Sequence, residues 1–440
     1  RIHFFFTRRE VRTLSNFLTM KYHLKVNELE KSLLDFLCHI SKNIYNYTLY
    51  RLRDIYFNNE DFPTYFDTNK LIKENDNYHI LNTYMSICTI RNVHSNMSKF
   101  IRRNKDKRCQ IPNYLRKEGY YPLISDQIRI IEHNNKKCIK LPLSNIVRTK
   151  RILKEEYNDS LLNTFIDKLN KESIQDIYIY IPKELYKKEI RQIRIIPKYN
   201  ACYYEVELTY INDEKERINS NTKEASIDLG INNLATCVIN DNTSFIIDGK
   251  CLKSKNRIFN KNMAYFQSKN NDRTCQTKRM KSMRIKHSNY VKDYINKAGM
   301  ELINLLRLSD VKKVIVGYNK GLKKEGIHNP LLTNKQKAKV NQSFVRIPLL
   351  KFKNRIKYLC EKYNLIYEEV NESYTSMKSF YDNDEINKES LTSGKRIKRG
   401  LYETKDKRII NADVNGALNI YKKSKPINDK NVLSLMDRGL

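Results

Sequence analysis

The sequence lacks the paired cysteines and histidines of common metal and redox motifs. Its nine cysteines never form a CxxC pair, and its eight histidines include no HExxH spacing. Cysteines that are odd in number and widely dispersed argue against a disulfide framework and against a zinc ribbon. No run of 18 or more apolar residues is present, so no membrane-spanning helix is expected. The first residues show no secretory signal pattern, which leads us to expect an intracellular protein.

Acidic residues are scarce relative to basic ones. Lysine and arginine total 83 against 49 aspartate and glutamate, and the formal net charge of +34 is spread along the chain. A folded surface this positive repels itself unless a polyanion neutralises it. Nucleic acid is therefore the expected partner. The alternatives are a basic protein without a dedicated ligand and a protein that binds membrane surfaces.

The first half of the chain changes its hydrophobic period. An alternating run, MKYHLKV, predicts a strand within residues 1–28, and a 3.6-residue period predicts a helical domain over about 29–108. Residues 109–215 contain paired strand patterns around Asn134 and Asn200, with a helical pattern over 152–170 between them. The 440-residue chain exceeds the usual size of a single core, so several domains are expected.

The second half, residues 216–440, alternates strand and helix patterns. SIDLGIN, LATCVIN, SFIIDG, VKKVIVGYN and LIYEEVNES predict strands, and helical patterns cover about 277–307, 342–363 and the residues that follow NADVNG. This alternation favours an α/β sheet. The opening meander is typical of an RNase H-like sheet, in which the first strand carries an acid at its middle.

Three acids stand beside the ends of these elements. Asp228 in SIDLGIN, Glu372 in EVNESYTS and Asp413 in INADVNGALNI are far apart in sequence but could meet at one edge of the sheet. Three carboxylates around one point repel one another unless divalent cations lie between them, and hard oxygen ligands suit Mg²⁺ or Mn²⁺. Two such ions support phosphodiester hydrolysis. Glu368 and Glu369 remain rivals of Glu372, and Asp413 could instead cap a helix.

These motifs resemble the TnpB nucleases of IS200/IS605-type and IS607-type elements and their Fanzor relatives, the ancestors of Cas12 effectors. IDLGINNLAT is similar to the first RuvC motif, NADVNGALNI to the third, and VIVGYNKG with NQSFVRIPLLKFKNRIKYLCEKYNLIYEEVNESYTS to the region between them. The similarity is strong from about residue 225 to 422. Over the N-terminal half it is confined to the order of elements.

The resemblance implies an α/β RNase H-like (RuvC) nuclease domain over 216–440, without a zinc ribbon. A β-barrel wedge domain, built from 1–28 and from 109–215 with a helical insertion, and a helical recognition domain over 29–108 would precede it. The implied activity is RNA-guided cleavage of DNA, associated with a transposable element, with Mg²⁺ or Mn²⁺ and a guide RNA as cofactors. Asp228, Glu372 and Asp413 would hold the metal and catalyse hydrolysis.

We further expect one monomer per guide RNA, double-stranded DNA as the target and no membrane partner. The compartment would be the nucleus for a eukaryotic or viral host, and the cytoplasm or nucleoid for a bacterial one. Two other functions stay open. One is an RNA-guided binder that has lost cleavage and acts as a repressor, and the other is a transposase that moves DNA.

Two features depart from most members of that family. Gly317 stands where the second catalytic acid usually ends the strand VIVG, and the resemblance to a subset with a relocated glutamate implies that Glu372 replaces it. Many relatives carry a four-cysteine zinc ribbon before the last aspartate, whereas residues 373–412 contain no cysteine. A short basic hairpin, SGKRIKRGLY, occupies that place, so no structural zinc is expected.

Basic segments predict contacts with the nucleic-acid backbone, although a charge run is often only a solvated face. The residues expected to make these contacts are Lys281, Arg284, Lys286, Lys320, Lys323, Lys324, Arg346, Lys395, Arg396, Lys398 and Arg399.

Overall fold

Two units, Arg1–Asp213 and Glu214–Leu440, divide the chain. The computed structural model describes residues 17–103, 110–148, 176–212, 223–270, 277–318, 348–398, 400–425 and 429–438. Within these ranges no helix combines the length and the apolar character needed to cross a bilayer. The finer division of the first unit into a wedge and a recognition domain stays a prediction.

Four helices of the first unit lie in the region of about 29–108 where the 3.6-residue period predicts a helical domain: α1 (Glu28–Phe57), α2 (Tyr65–Lys73), α3 (Asp76–Ile80) and α4 (Thr83–Arg103). The short α5 (Asn145–Arg148) lies outside the predicted helical segments. A capping box begins α1, because the Asn27 side chain accepts from the Glu30 backbone N–H and the Glu30 carboxylate accepts from the Asn27 N–H. The predicted stripe on α1 is buried at Leu33, Leu37 and Ile40.

Two antiparallel sheets complete the described part of the first unit. The first sheet has the order β1 (Phe17–Leu24), β7 (Tyr203–Ile211), β6 (Ile190–Lys198) and β2 (Leu123–Ser125). The second sheet joins β3 (Ile130–His133), β4 (Lys136–Lys140) and β5 (Tyr178–Tyr180). Both predicted hairpin turns are confirmed. Asn134, Asn135 and Asn200 take the positive φ angles that such turns require. The helical pattern over 152–170 lies outside the described residues.

The second unit is built on a five-stranded mixed sheet. Its strands are β8 (Glu224–Asp228), β9 (Asn233–Ile239), β10 (Ser244–Asp248), β11 (Lys313–Gly317) and β12 (Ile366–Val370), in the order β10-β9-β8-β11-β12. Neighbouring strands from β10 to β8 are antiparallel, and β8, β11 and β12 are parallel. All five predicted strands are present. One expectation is wrong, since Asp228 is the last residue of β8 and does not stand at its middle.

Helices cover both faces of this sheet. They are α6 (Lys250–Ser268), α7 (Lys278–Leu308), α8 (Leu349–Lys362), α9 (Ala412–Lys423) and α10 (Lys430–Arg438). Ala225 and Ile227 of β8 belong to the core that α7 and α8 complete. Ser226 points to the other face, where its hydroxyl donates to the Ala417 carbonyl of α9 at 2.8 Å. Because strand side chains alternate between faces, Asp228 also lies on the α9 side.

A small antiparallel sheet lies between β12 and α9 in the chain. Its strands are β13 (Lys395–Lys398), β14 (Leu401–Glu403) and β15 (Ile409–Asn411). The predicted basic hairpin is thus formed by β13 and β14. Because β15 leads directly into α9, this sheet is joined to the helix that carries Asp413.

Candidate active site

Asp228 meets the first turns of α9 at the carboxyl end of β8. A Cβ atom on Gly416 of α9 would lie only 2.8 Å from Asp228 Oδ2. Only glycine therefore allows the helix backbone to approach this carboxylate so closely. The carboxyl ends of parallel strands are a common position for ligands in open α/β sheets.

Asp413 is the second residue of α9, and another residue caps the helix. Asn411 Oδ1 accepts from the backbone N–H groups of Asp413 at 2.9 Å and Val414 at 3.2 Å. The Asp413 carboxylate makes different contacts. Its Oδ2 accepts a hydrogen bond from Asn233 Nδ2 at 2.7 Å, and its Oδ1 lies 3.5 Å from the Arg396 guanidinium. The capping role considered for Asp413 is thus filled by Asn411.

Glu372 lies past the end of β12, beside the last residue of β11. A Cβ built on Gly317 would lie 3.3 Å from Glu372 Cβ and 2.4 Å from Cδ1 of Ile420. The space that a side chain at position 317 would need is thus already taken by Glu372 and Ile420. A side chain at position 317 would overlap with Ile420 and would press against Glu372.

The rival glutamates form ion pairs elsewhere. Glu368 pairs with Lys313 at 2.6 Å, near the beginning of β11. Glu369 pairs with Lys353 at 2.8 Å and accepts from the Tyr367 hydroxyl at 3.1 Å. Glu372 is the better candidate for the second acid, because its charge, and not that of Glu368 or Glu369, is among those that raise the pKa of Asp228.

Asp228 is electrostatically coupled to the other two acids. Burial and, to a lesser extent, the negative charges of Glu372 and Asp413 together raise the pKa of Asp228 to about 7, although Arg396 and the Leu229 backbone N–H act in the opposite direction. Three acids from distant parts of the sequence thus share one electrostatic environment. A cation between them would relieve their repulsion.

The donor set fits a hard divalent cation. It consists of carboxylate oxygens alone, which Mg²⁺ and Mn²⁺ prefer. In the described part of the chain, no three His, Cys, Asp or Glu side chains form a ready-made metal cage. The three carboxylates are close enough to interact through charge, but they would have to draw together around an ion.

Only some of the predicted nucleic-acid contacts lie near these acids. Arg396 does, whereas Lys395 and Lys398 are exposed on β13. Lys281, Arg284 and Lys286 lie on the first half of α7. The remaining predicted residues, Lys320, Lys323, Lys324, Arg346 and Arg399, lie outside the described residues.

The helix pair α6 and α7 carries an uninterrupted positive charge. α6 contains five Lys or Arg residues and residues 278–292 of α7 contain six, and neither stretch contains an acid. Lys281 and Lys286 are exposed and Arg284 is half-buried. This surface suits contacts with phosphates.

Two asparagines of the site were missed by sequence reasoning. Asn233 orients the Asp413 carboxylate, and Asn411 begins α9. Both stand inside the motifs INNLAT and INADVNG. An asparagine directly before a helix is a recognisable N-cap signal and could have identified Asn411. The contact of Asn233 depends on the tertiary fold and has no local signal.

Two family models match parts of the chain. Residues 203–323 match the IS605 OrfB model, described as "Probable transposase", and residues 350–420 match a model described as "Cas12f1-like, TNB domain". None of the curated proteins compared with the chain matches it.

Solved structures align with the chain at low sequence identity. The cryo-EM structure of the Cas12f1–sgRNA–target DNA complex aligns with a TM-score of 0.61 and 16% identity, over 91% of this chain and 83% of that chain. The mini-RNA-guided endonuclease CRISPR-Cas phi3 aligns with a TM-score of 0.48 and 11% identity, over 96% of this chain and 95% of that chain. The second likeness is too distant to carry an argument.

The class of fold follows from the first alignment. The chain is similar in fold to Cas12f1, which was solved in complex with an sgRNA and target DNA. With the two family models, this similarity confirms the resemblance to the TnpB type of family.

Proposed function

We propose that this protein is an RNA-guided DNA endonuclease that hydrolyses phosphodiester bonds by a RuvC-type two-metal mechanism and is associated with a transposable element. The coupling of Asp228 to Glu372 and Asp413 at one end of the sheet carries the proposal. Similarity to a probable transposase model and to the fold of Cas12f1, solved with guide RNA and target DNA, supports it.

Asp228, Glu372 and Asp413 would hold Mg²⁺ or Mn²⁺. When bound, such ions activate a water molecule and stabilise the leaving oxygen of the phosphodiester. Asn233 fixes the orientation of the Asp413 carboxylate through its hydrogen bond to Oδ2. Arg396 lies beside Asp413, where its guanidinium can pair with a phosphate oxygen of the DNA strand.

The positive surface would bind the nucleic acids. A guide RNA would pair with one strand of the target, and the protein would hold the hybrid by its shape and backbone charge. Lys281, Arg284 and Lys286 on α7 are suited to phosphate contacts of this kind. One guide RNA per monomer, and a nuclear or bacterial cytoplasmic compartment, remain part of the proposal.

The test is metal-dependent cleavage of plasmid DNA by the full chain, purified with its co-expressed RNA. Sequencing of the copurified RNA supplies the guide and therefore the target to use. The wild type should cut in Mg²⁺, and Glu372→Gln should bind RNA and DNA normally without cutting. Full cleavage by Glu372→Gln would remove Glu372 from the mechanism.

A catalytically inactive RNA-guided binder is the second candidate. It is favoured by one observation, the lack of a ready-made metal cage among the described residues. Such a protein would bind the target with its guide and leave the DNA intact in Mg²⁺ and in Mn²⁺. A DNA-moving transposase would instead yield strand-transfer products, which the same reaction would reveal by sequencing of the DNA ends.

A further inference from the structure

Glu372 differs from Asp228 and Asp413 in the kind of element that positions it. Asp228 ends a strand and Asp413 lies in a helix, but Glu372 stands in the connection after β12. The Thr375 backbone N–H and hydroxyl both donate to the Glu372 carbonyl, at 3.2 Å and 2.8 Å. A tight turn therefore fixes the backbone of Glu372.

This turn is strained. Tyr374 has a φ angle of 70°, in the left-handed region that a bulky side chain rarely adopts. Strained residues of this kind persist only where the surrounding structure holds them in place. Contacts outside the turn must therefore stabilise it.

The stabilising contacts come from α9, the helix that carries Asp413. Asn419 Nδ2 donates to the carbonyls of Thr375 at 2.9 Å and Lys378 at 2.7 Å. Lys423, one turn further along α9, donates to the Ser373 carbonyl at 3.0 Å. Two side chains on one face of α9 thus hold the backbone directly after Glu372.

Asn419 is an unfavourable residue for packing alone. It is fully buried, and its Oδ1 accepts no hydrogen bond from the described residues. A buried acceptor without a partner costs free energy, whereas an apolar side chain of the same shape would not. This cost is consistent with a role in positioning the turn.

We propose that Asn419 and Lys423 are positioning residues that hold Glu372 at the distance from Asp228 and Asp413 at which the three carboxylates can share divalent ions. The inference rests on the proposed function. Asn419 and Lys423 fix the turn to the helix that bears Asp413, so two of the three acids move as one body. Contacts of this kind around metal ligands typically change metal affinity about 10- to 100-fold when they are removed.

The test measures Mn²⁺ binding to the full chain by titration calorimetry and by the electron paramagnetic resonance signal of free Mn²⁺. Asn419→Leu keeps the shape of the side chain and removes its two donors, and Lys423→Met removes the third. Each variant should bind Mn²⁺ about 10- to 100-fold more weakly than the wild type. Each should also need more Mg²⁺ for half-maximal cleavage while it remains folded at the assay temperature, although Asn419→Leu should melt at a lower temperature because the Thr375 carbonyl loses its donor.

Lys422→Met is the matched control. Lys422 is the adjacent residue of α9 and carries the same charge, but it donates to Asn383 Oδ1 at 2.6 Å and the Asp384 carbonyl at 2.8 Å, away from the Glu372 turn. Its loss should leave Mn²⁺ affinity unchanged. Lys423→Arg keeps a cationic donor and should restore most of the affinity lost in Lys423→Met.

Three results would overturn the inference: wild-type Mn²⁺ affinity in folded Asn419→Leu, wild-type affinity in Lys423→Met, or an equal loss in Lys422→Met. If Asn419→Leu does not fold, the comparison of the two lysine variants decides. A different result would overturn the proposed function: Glu372→Gln would have to bind Mn²⁺ and cleave DNA as the wild type does. The two ideas can therefore fail independently.

Discussion

Two enclosed aspartates, one in each unit, have opposite surroundings. Asp35 on α1 accepts from the Tyr204 hydroxyl at 2.5 Å and pairs with Lys31 at 2.8 Å. Asp228 on β8 instead faces two other carboxylates, and its pKa rises to about 7 because of burial and of those charges. Asp35 is surrounded by hydrogen-bond donors, which stabilise its charge within the fold. Asp228 is close to other negative charges, an arrangement that suits the binding of a cation. The two units thus place different charged groups around these aspartates.

The largest expected effect comes from removing the acid of the second unit. Asp228→Ala should reduce plasmid cleavage about 100- to 1,000-fold, the scale on which one group that stabilises developing charge contributes. Guide RNA should remain bound, since the basic surface is untouched. Asp35→Asn is the control from the first unit, and its cleavage rate per folded molecule should match the wild type. Full cutting by Asp228→Ala would contradict the mechanism.

The next largest effect is expected from adding a side chain at Gly317, between β11 and α9. Gly317→Ala places a Cβ 2.4 Å from Ile420 Cδ1 and 3.3 Å from Glu372 Cβ, so Ile420 must shift and Glu372 should be pushed slightly from its position. We expect a loss of about 1–3 kcal/mol in the free energy of unfolding, typical of overpacking, together with slower cleavage. Ile420→Val deletes the Cδ1 atom, which makes the closest contact. The double variant should therefore recover stability relative to Gly317→Ala. Equal stability of the single and double variants would rule out this overlap.

The pH dependence of stability should distinguish the two aspartates. The folded pKa of Asp228 is about 7, above its ordinary value of 3.8, so protonation favours the folded state. This contribution is complete below about pH 4 and is lost as the pH rises through 7. In metal-free protein, Asp228→Asn should therefore gain stability over the wild type between pH 5 and pH 8, measured by urea unfolding. Added Mg²⁺ should stabilise the wild type more at pH 8, because metal ligands must be deprotonated.

The same experiment on Asp35→Asn is the control. This acid has donors on both oxygens, so its replacement should lower stability at pH 8. A gain of stability in Asp35→Asn, or none in Asp228→Asn, would contradict the contrast between the two units.

Strands and turns of this fold could be predicted because their signals are local. The five strands of the second unit have apolar runs, and the hairpin turns have asparagines that tolerate positive φ. Helix α6 was missed because lysine and arginine interrupt its period and leave only Leu252, Asn256 and Met263 buried. The buried side of α6 can be recognised only from its packing against α7 in the tertiary structure.

The site was less predictable than the sheet. Asp228 and Asp413 follow from local motifs, but alternation along LIYEEVNES made Glu368 a rival of Glu372. The strand ends at Val370, so the alternation does not extend to residue 372. The ion pair of Glu368 with Lys313 and the contacts of α9 with the Glu372 turn require tertiary structure, which no local pattern encodes.

The smallest effect is expected from removing one donor to the aspartate of the first unit. Tyr204→Phe deletes the hydroxyl that donates to Asp35 and leaves Lys31 as its partner among the described residues. The free energy of unfolding should fall by about 0.5–1.5 kcal/mol, the net contribution of one hydrogen bond, because Lys31 still pairs with the carboxylate. Cleavage and Mn²⁺ affinity should not change at temperatures where the variant is folded. A Tyr204→Phe variant that weakens Mn²⁺ binding would show that this aspartate is tied to the ligand site, and the contrast between the units would fail.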